Sequence, residues 1–217
     1  MDGKQFVAQL KMENEALLAK IDEPPEPGGV TDRDTLAALL KMALKNEIEA
    51  AEIAAEWVST TPELDAKVAL ARHAGDEARH YQLVEERARA MGISLDGFRP
   101  LDPPSPVLSY LRTLTTTAER VAAALVAREA MGGRRNAQFL AFLESAGQRD
   151  LAVLYRDVIN PDEDTHHNAG CELLAKLATT PGSQEAARRA ARELLETGNR
   201  VRAAALQQTG ATVIPGC

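Results

Sequence analysis

The residues of this chain whose types and spacing suggest chemistry are two copies of a Glu-x-x-His pair. The first copy lies in the stretch Asp-Glu-Ala-Arg-His at residues 76–80, and an imperfect second copy, Asp-Glu-Asp-Thr-His, occupies residues 162–166. On a helix, this spacing places a carboxylate and an imidazole one turn apart on the same face, where both can bind one metal ion. The two chelating pairs are Glu77 with His80 and Glu163 with His166.

The first pair is predicted to face a protein core. Small and apolar side chains share the helical face of Glu77. An ionised glutamate in such a core is very unfavourable unless it is paired or bound to a metal. The pattern therefore favours a metal site over a surface ion pair, and the second copy strengthens this interpretation. The residues on this face are Ala66, Ala69, Leu70, Ala74, Tyr81, Val84 and Ala88.

Each pair has a candidate partner glutamate on the helix before it. A four-helix bundle that holds two metals needs one inward-facing Glu from each of two helices and a Glu-x-x-His from each of the other two. In residues 32–59, only Glu47 shares the apolar face, and in residues 107–131 Glu129 does so, with Glu119 as a weaker candidate. The glutamates expected on the polar face of the first segment are Glu49, Glu52 and Glu56.

The two halves of the chain then form a repeat. Glu47 precedes Glu77 by 30 positions and Glu129 precedes Glu163 by 34, so each half contains a Glu followed by Asp-Glu-x-x-His. Such a repeat is expected for a bundle with pseudo-twofold symmetry around a dinuclear centre. With these features, the sequence resembles the ferritin-like di-iron carboxylate superfamily. Residues 76–80 match the D-E-x-R-H motif of its oxygen-activating branch, which includes bacterial multicomponent monooxygenases and ribonucleotide reductase small subunits.

The second motif departs from that pattern, because Thr165 replaces the arginine and His167 follows His166. The resemblance covers residues 32 to about 178. It implies a ferritin-like four-helix bundle with a long crossover, and two iron ions, with manganese as the alternative. The expected ligands, also the expected catalytic residues, are Glu47, Glu77 and His80 for one metal and Glu129, Glu163 and His166 for the other. Glu77 and Glu163 are expected to bridge the metals.

Several neighbouring residues are expected to support the centre. The resemblance implies that Asp76 and Asp162 accept hydrogen bonds from ligand histidines and thereby orient them. Arg79 is expected in the same network or in a surface ion pair. His73 lies four residues before Glu77 on the same face, and is either a core histidine or a third nitrogen ligand or proton donor. The residues expected to have structural roles are His167, Tyr81, Tyr155 and Cys171.

Composition limits the possible functions. The 217 residues are 45% hydrophobic and only 4% aromatic, which favours one all-α domain with closely packed helices. A net charge of −7 argues against nucleic acid or an anionic membrane as a partner. Two cysteines, Cys171 and Cys217, form no disulfide framework or thiolate metal site. Without a signal peptide or membrane span in the pattern, we expect a cytoplasmic protein, as a homodimer.

The predicted elements begin with a helix over residues 2–20 and a Pro/Gly linker at residues 23–29, together forming residues 1–30. The bundle is assigned to residues 31–180, and residues 181–217 hold a C-terminal helix, about 183–208, and a tail. Within the bundle, helices are expected at about 32–59, about 62–92 and 106–131, the last ending or kinking at Gly132-Gly133. Two shorter helices are expected at 136–145 and 148–159, with a kink or a new start at Pro161.

The leading functional hypothesis is a di-iron oxidase or oxygenase that activates dioxygen, oxidises a small organic substrate and receives electrons from an external donor or reductase. Alternatives with nearly the same ligands are a ferroxidase or iron-storage protein and a peroxidase of the manganese-catalase or rubrerythrin type. A non-catalytic helical scaffold is the interpretation that requires the ligand pattern to be a coincidence.

Overall fold

The computed structural model describes residues 1–21 and 32–216. Within these ranges the chain forms seven helices and no strand, which confirms the predicted all-α class. The helices are α1 (Gly3–Ile21), α2 (Arg33–Thr60), α3 (Leu64–Ala90), α4 (Pro106–Leu111), α5 (residues 117–145), α6 (residues 149–177) and α7 (Pro181–Thr209). The predicted linker at residues 23–29 and Cys217 lie outside the described residues.

Two apolar clusters fill the space between α2, α3, α5 and α6. The first cluster contains the end of α2, the start of α3, the start of α5 and the end of α6, represented by Trp57, Leu70, Leu125 and Leu174. The second cluster contains the opposite ends of the same four helices, represented by Leu40, Val84, Phe139 and Leu151. The middle of each helix therefore lies between two apolar layers.

The membership of these clusters fixes the helix directions. Helix α3 begins in the first cluster and ends in the second, and α5 also begins in the first cluster, at Ala118 and Val121. The two helices are therefore parallel, and the connection over residues 91–116 runs the length of the bundle. This crossover includes the short α4, which begins at Pro106 with Ser105 as its N-cap, and the Ser105 side chain accepts a hydrogen bond from the Leu108 N–H.

Helices α1 and α7 extend the bundle on the side of the first cluster. Phe6, Leu10 and Leu18 of α1 are at most 1% exposed, and each such side chain stabilises the docking of this helix by about 1.5–3 kcal/mol. Helix α7 buries Ala187, Ala191, Leu194 and Leu195 in the same cluster. The predicted N- and C-terminal helices are thus present, and both pack directly on the core.

The predicted break at Gly132-Gly133 is wrong, because α5 continues through both residues to Ser145. Gly132 is buried, and its backbone packs so closely against Gly216 that a Cβ on Gly216 would collide with it. The Gly216 N–H also donates to Asn136 Oδ1 at 2.8 Å. The glycine at position 216 therefore lets the C-terminal segment pack against the backbone of α5 at Gly132, and the helix does not end there. The prediction that one helix spans residues 106–131 is also wrong, since α4 ends at Leu111 and α5 begins at Thr117.

Two π-helical segments interrupt the second hairpin and were not predicted. Residues Val121–Arg128 of α5 and Tyr155–Ile159 of α6 form π-helix, whereas α2 and α3 are regular α-helices. The wider π turn before Pro161 accommodates its missing N–H, so α6 passes the proline without a break. Each π segment ends shortly before a candidate ligand, Glu129 or Glu163, and sets the direction in which that side chain points.

None of the helices in the described part of the chain is long and apolar enough to cross a membrane.

The contact between α5 and α6 requires Gly170. A Cβ added there would lie 2.5 Å from Leu125 Cβ and 2.6 Å from Leu125 O, whereas a Cβ at Gly75, exposed on α3, would meet nothing within 4 Å. We therefore expect Gly170→Ala to lower the free energy of unfolding by about 1–3 kcal/mol. The control Gly75→Ala should raise it by up to about 1 kcal/mol, because alanine is the better helix former. Urea denaturation measures both, and equal effects would contradict this packing.

Candidate metal centre

Seven side chains, four carboxylates and three imidazoles, lie together in the layer between the two apolar clusters. All are at most 7% exposed, and they come from four helices. They are Glu47 of α2, His73, Glu77 and His80 of α3, Glu129 of α5, and Glu163 and His166 of α6. The structure therefore brings together all six residues predicted as ligands, and adds His73.

The seven side chains form two groups that share one residue. In the first group, one ligand atom from each of Glu47, Glu77, His80 and Glu163 lies within 4.8 Å of the others. The second group, with the same spacing, consists of His73, Glu77, Glu129 and His166. Because Glu77 belongs to both groups, its carboxylate is placed to bridge two metal ions. Glu163 was predicted as a ligand of the metal of His166 that also bridges to the other metal; it is grouped with His80 of α3 and not with His166.

The two motif histidines are held by aspartates in a crossed arrangement. His80 of α3 donates its Nε2–H to Asp162 Oδ2 of α6 at 3.0 Å, and His166 of α6 donates its Nε2–H to Asp76 Oδ2 of α3 at 3.1 Å. A carboxylate only accepts, so each Nε2 carries the proton. The remaining Nδ1 atoms face the glutamates, with His80 Nδ1 3.5 Å from Glu47 Oε2. This is the orientation that metal-binding histidines need.

The aspartate network reaches the surface through Arg79. Its Nη1 donates to Asp162 Oδ2 at 3.1 Å, although the Arg79 side chain is 51% exposed. Both expectations for Arg79 thus hold, because it forms an ion pair near the surface and orients the aspartate that binds His80. Asp76 in the other half has no corresponding arginine, since Thr165 occupies the equivalent motif position and donates to Pro161 O.

His73 lies inside the centre. Its Nδ1 is 3.5 Å from Glu77 Oε1 and its Nε2 is 3.7 Å from Glu129 Oε1. Its ring meets the His166 ring edge to face, with 4.5 Å between the centroids. The helical spacing from Glu77 indicated this face, but the sequence could not distinguish a packed core histidine from a ligand.

Many polar atoms of the centre lack a hydrogen-bond partner within the described ranges. They include both carboxylate oxygens of Glu47, Glu129 and Glu163, and the Nδ1 atoms of His73, His80 and His166. Leaving one buried polar group unsatisfied costs about 1–3 kcal/mol, so a cluster of this size is very unfavourable by itself. The donor atoms, three imidazole nitrogens and four carboxylates, suit a divalent metal such as iron or manganese. The residues therefore fit the metal ions that the sequence predicted.

Burial and crowding shift the pKa values of these groups. Burial raises the pKa of Glu47 and Glu129 well above 4.5, and neighbouring carboxylates raise it further. Burial also raises the pKa of Glu163. For Glu77, burial acts upward, but the surrounding histidines outweigh it and hold the pKa well below 4.5. Burial therefore disfavours a negative charge on Glu47, Glu129 and Glu163 in the metal-free layer.

The histidines respond in opposite directions. Burial lowers the pKa of His73 to about 4, so His73 is neutral at pH 7 and its nitrogens are available to a metal. For His80, burial acts downward, but the carboxylates of Glu47 and Glu77 outweigh it and raise the pKa to about 11. Metal binding must therefore displace a proton from His80, and metal affinity should increase with pH.

Two residues near the centre were not predicted there. Arg128, next to Glu129, is 3% exposed, and its Nη2 donates to Asn46 O at 2.9 Å, which joins α5 to α2. Glu49 was expected on a polar face but is 3% exposed, because it accepts hydrogen bonds from the Ser105 N–H and hydroxyl and pairs with Lys45 at 2.9 Å. The polar face of α2 thus binds the crossover. Periodicity alone gave no signal for either residue.

The remaining candidates lie outside the two groups. Glu119 forms a capping box with Thr116 at the start of α5. His167 donates its Nδ1–H to Val126 O at 3.1 Å, and its Nε2 lies 3.6 Å from Cys171 Sγ. Tyr155 is buried against Phe139 in the second apolar cluster.

Burial of Glu129 predicts a pH-dependent cost of folding in the metal-free protein. The pKa of Glu129 is higher in the folded protein than in the unfolded chain, where it is near 4.5, so the folded protein binds its proton more tightly. The folded state is therefore most stable below pH 4.5 and loses stability as the pH rises through the folded pKa. Glu129→Gln should therefore raise the free energy of unfolding, by about 1–4 kcal/mol at neutral pH, and by less near pH 4.5. Urea denaturation of chelator-treated protein at several pH values measures this difference.

The matched control for this measurement is Glu86→Gln, since the Glu86 side chain is 68% exposed. This variant should unfold like the unsubstituted protein at every pH. A stabilisation by Glu129→Gln that does not grow with pH would mean that folding does not raise the pKa of Glu129.

The crossed aspartates predict an effect on metal affinity without loss of any ligand. Asp76→Asn and Asp162→Asn should each weaken metal binding by about 10–100-fold, because the ligand histidine loses its charged acceptor. Asp164→Asn, which alters an exposed carboxylate of α6, should leave binding unchanged. Titration of metal-free protein with Mn²⁺, followed by calorimetry, compares the variants. If Asp164→Asn weakens binding as much as the other two, general loss of surface charge is the cause.

Comparisons with protein-family models, curated proteins and solved structures found no match to this chain.

Proposed function

We propose that this chain is a ferritin-like di-iron oxidase or oxygenase that uses dioxygen to oxidise a small organic substrate. The observation that carries the proposal is the pair of buried ligand groups that share Glu77. The parallel α3 and α5, joined by a crossover along the bundle, support the ferritin-like topology, because such bundles connect their two hairpins in this way.

Charge balance supports a centre with two metals. Four glutamates in one buried layer carry up to four negative charges, which two divalent ions would neutralise. Two ferrous ions, when bound, would supply electrons to dioxygen. The glutamates would hold the two ions, Asp76 and Asp162 fix the histidine rings, and the apolar clusters on both sides keep bulk water away from the layer.

A cavity beside α1 offers a place for a small organic substrate. It has a volume of about 580 Å³ and lies between α1, α5 and α6. Its walls include Met12, Ala16 and Ala19 of α1, and Ala130 and His167, which directly follow the ligands Glu129 and His166. Polar residues, including Lys11 and Asn14, also line the cavity.

Electrons must come from another molecule in this proposal. The chain contains two cysteines, which is too few for an iron–sulfur cluster held by four thiolates. An external donor or reductase is therefore required for turnover with a substrate that supplies no electrons itself.

The decisive experiment counts the iron atoms retained per chain after aerobic incubation with excess ferrous iron and removal of unbound metal. We expect about two per chain, one for each ligand group. Glu47→Ala and Glu129→Ala should each lower this number, and Glu52→Ala, which changes a carboxylate outside both groups, should not. Atomic emission on desalted protein gives the count.

Other results select other functions. Many irons per chain would show mineral storage and exclude the oxygenase. Retention of manganese in place of iron, with hydrogen peroxide decomposition, would favour a peroxidase or catalase. Retention of no divalent metal, together with stabilisation by both alanine substitutions, would leave a helical scaffold as the remaining interpretation.

A further inference from the structure

The two ligand groups of the centre differ in composition. The group that contains His80 has one imidazole and three carboxylates, whereas the group that contains His73 has two imidazoles and two carboxylates. Since both groups share Glu77, the difference lies in their other members. The first has Glu47 and Glu163 as further carboxylates, and the second has only Glu129. We refer to them as the carboxylate-rich and the nitrogen-rich position.

His73 is the source of the difference in imidazole number, because without it each group would hold a single imidazole, although one group would still have one carboxylate more than the other. Its side chain is 3% exposed, and both ring nitrogens lie within 4 Å of carboxylates of the nitrogen-rich position, Glu77 and Glu129. His80 and His166 each bind an aspartate outside the groups through Nε2. His73 Nδ1 is buried and has no hydrogen-bond partner in the described part of the chain. The ring is thus free to offer a nitrogen to the metal.

We infer that the two positions differ in metal preference, with iron favoured over manganese more strongly at the nitrogen-rich position than at the carboxylate-rich one, and that His73 contributes to this difference. Imidazole ligands suit iron better than manganese, whereas carboxylates suit manganese. The unequal number of carboxylates acts in the same direction, since manganese has the weaker intrinsic affinity and depends more on charge. This inference rests on the proposed dinuclear centre.

The test loads metal-free protein with equal amounts of Fe²⁺ and Mn²⁺ without oxygen, and records anomalous diffraction at the absorption edges of both metals. The Fe:Mn ratio at the nitrogen-rich position should exceed the ratio at the carboxylate-rich position. In His73→Gln, which keeps a polar side chain of similar size, the difference between the two ratios should become smaller, and the unequal number of carboxylates should account for what is left of it. His167→Gln is the control, because His167 directly follows His166 but belongs to neither group.

The outcomes separate this inference from the proposed function. Two metals with the same Fe:Mn ratio at both positions would leave the dinuclear centre intact and overturn the selectivity. Unequal ratios that His73→Gln does not change would overturn the role of His73. Failure of the unsubstituted protein to bind either metal would refute the proposed function itself. If His73→Gln does not fold, the ratios in the unsubstituted protein still decide whether the positions differ.

Discussion

The burial of four glutamates in one layer of the bundle is the constraint on which the rest of the structure depends. Carboxylates in a dry interior are costly, and the neighbouring histidines compensate only part of their charge. Protons offset some of the remainder, as the raised pKa values of Glu47 and Glu129 show. The apolar clusters above and below the layer must therefore supply the stability that the layer removes. Bound metal would make the same layer stabilise the folded state instead of destabilising it.

Much of this arrangement could be predicted from the sequence, because helical periodicity shows when a charged residue lies on an otherwise apolar face of a helix. Glu47, Glu77 and Glu129 stand out on stripes that are otherwise apolar, and the structure buries all three. His73 could not be assigned in the same way, since a histidine on an apolar face is equally compatible with packing. Its position became clear only from the distances to Glu77 and Glu129.

The irregular features of the second hairpin were beyond sequence reasoning. A π turn depends on tertiary packing more than on local propensity, so the sequence of Val121–Arg128 did not predict it. Gly132-Gly133 looked like a helix end, yet the helix continues, and the backbone at Gly132 is where the distant Gly216 packs. Glu49 was assigned to solvent because the partner that buries it, Ser105, belongs to a distant loop. Each error came from a contact between segments far apart in the chain.

The crossed Asp–His pairs also have a consequence for how the protein folds. Each histidine is oriented by an aspartate of the other hairpin, and each ligand group draws residues from both hairpins. Neither hairpin can therefore form a complete ligand group without the other, even if its own helices have formed. Assembly of the centre must coincide with docking of the two halves, so the order of events in folding is tied to the geometry of four side chains.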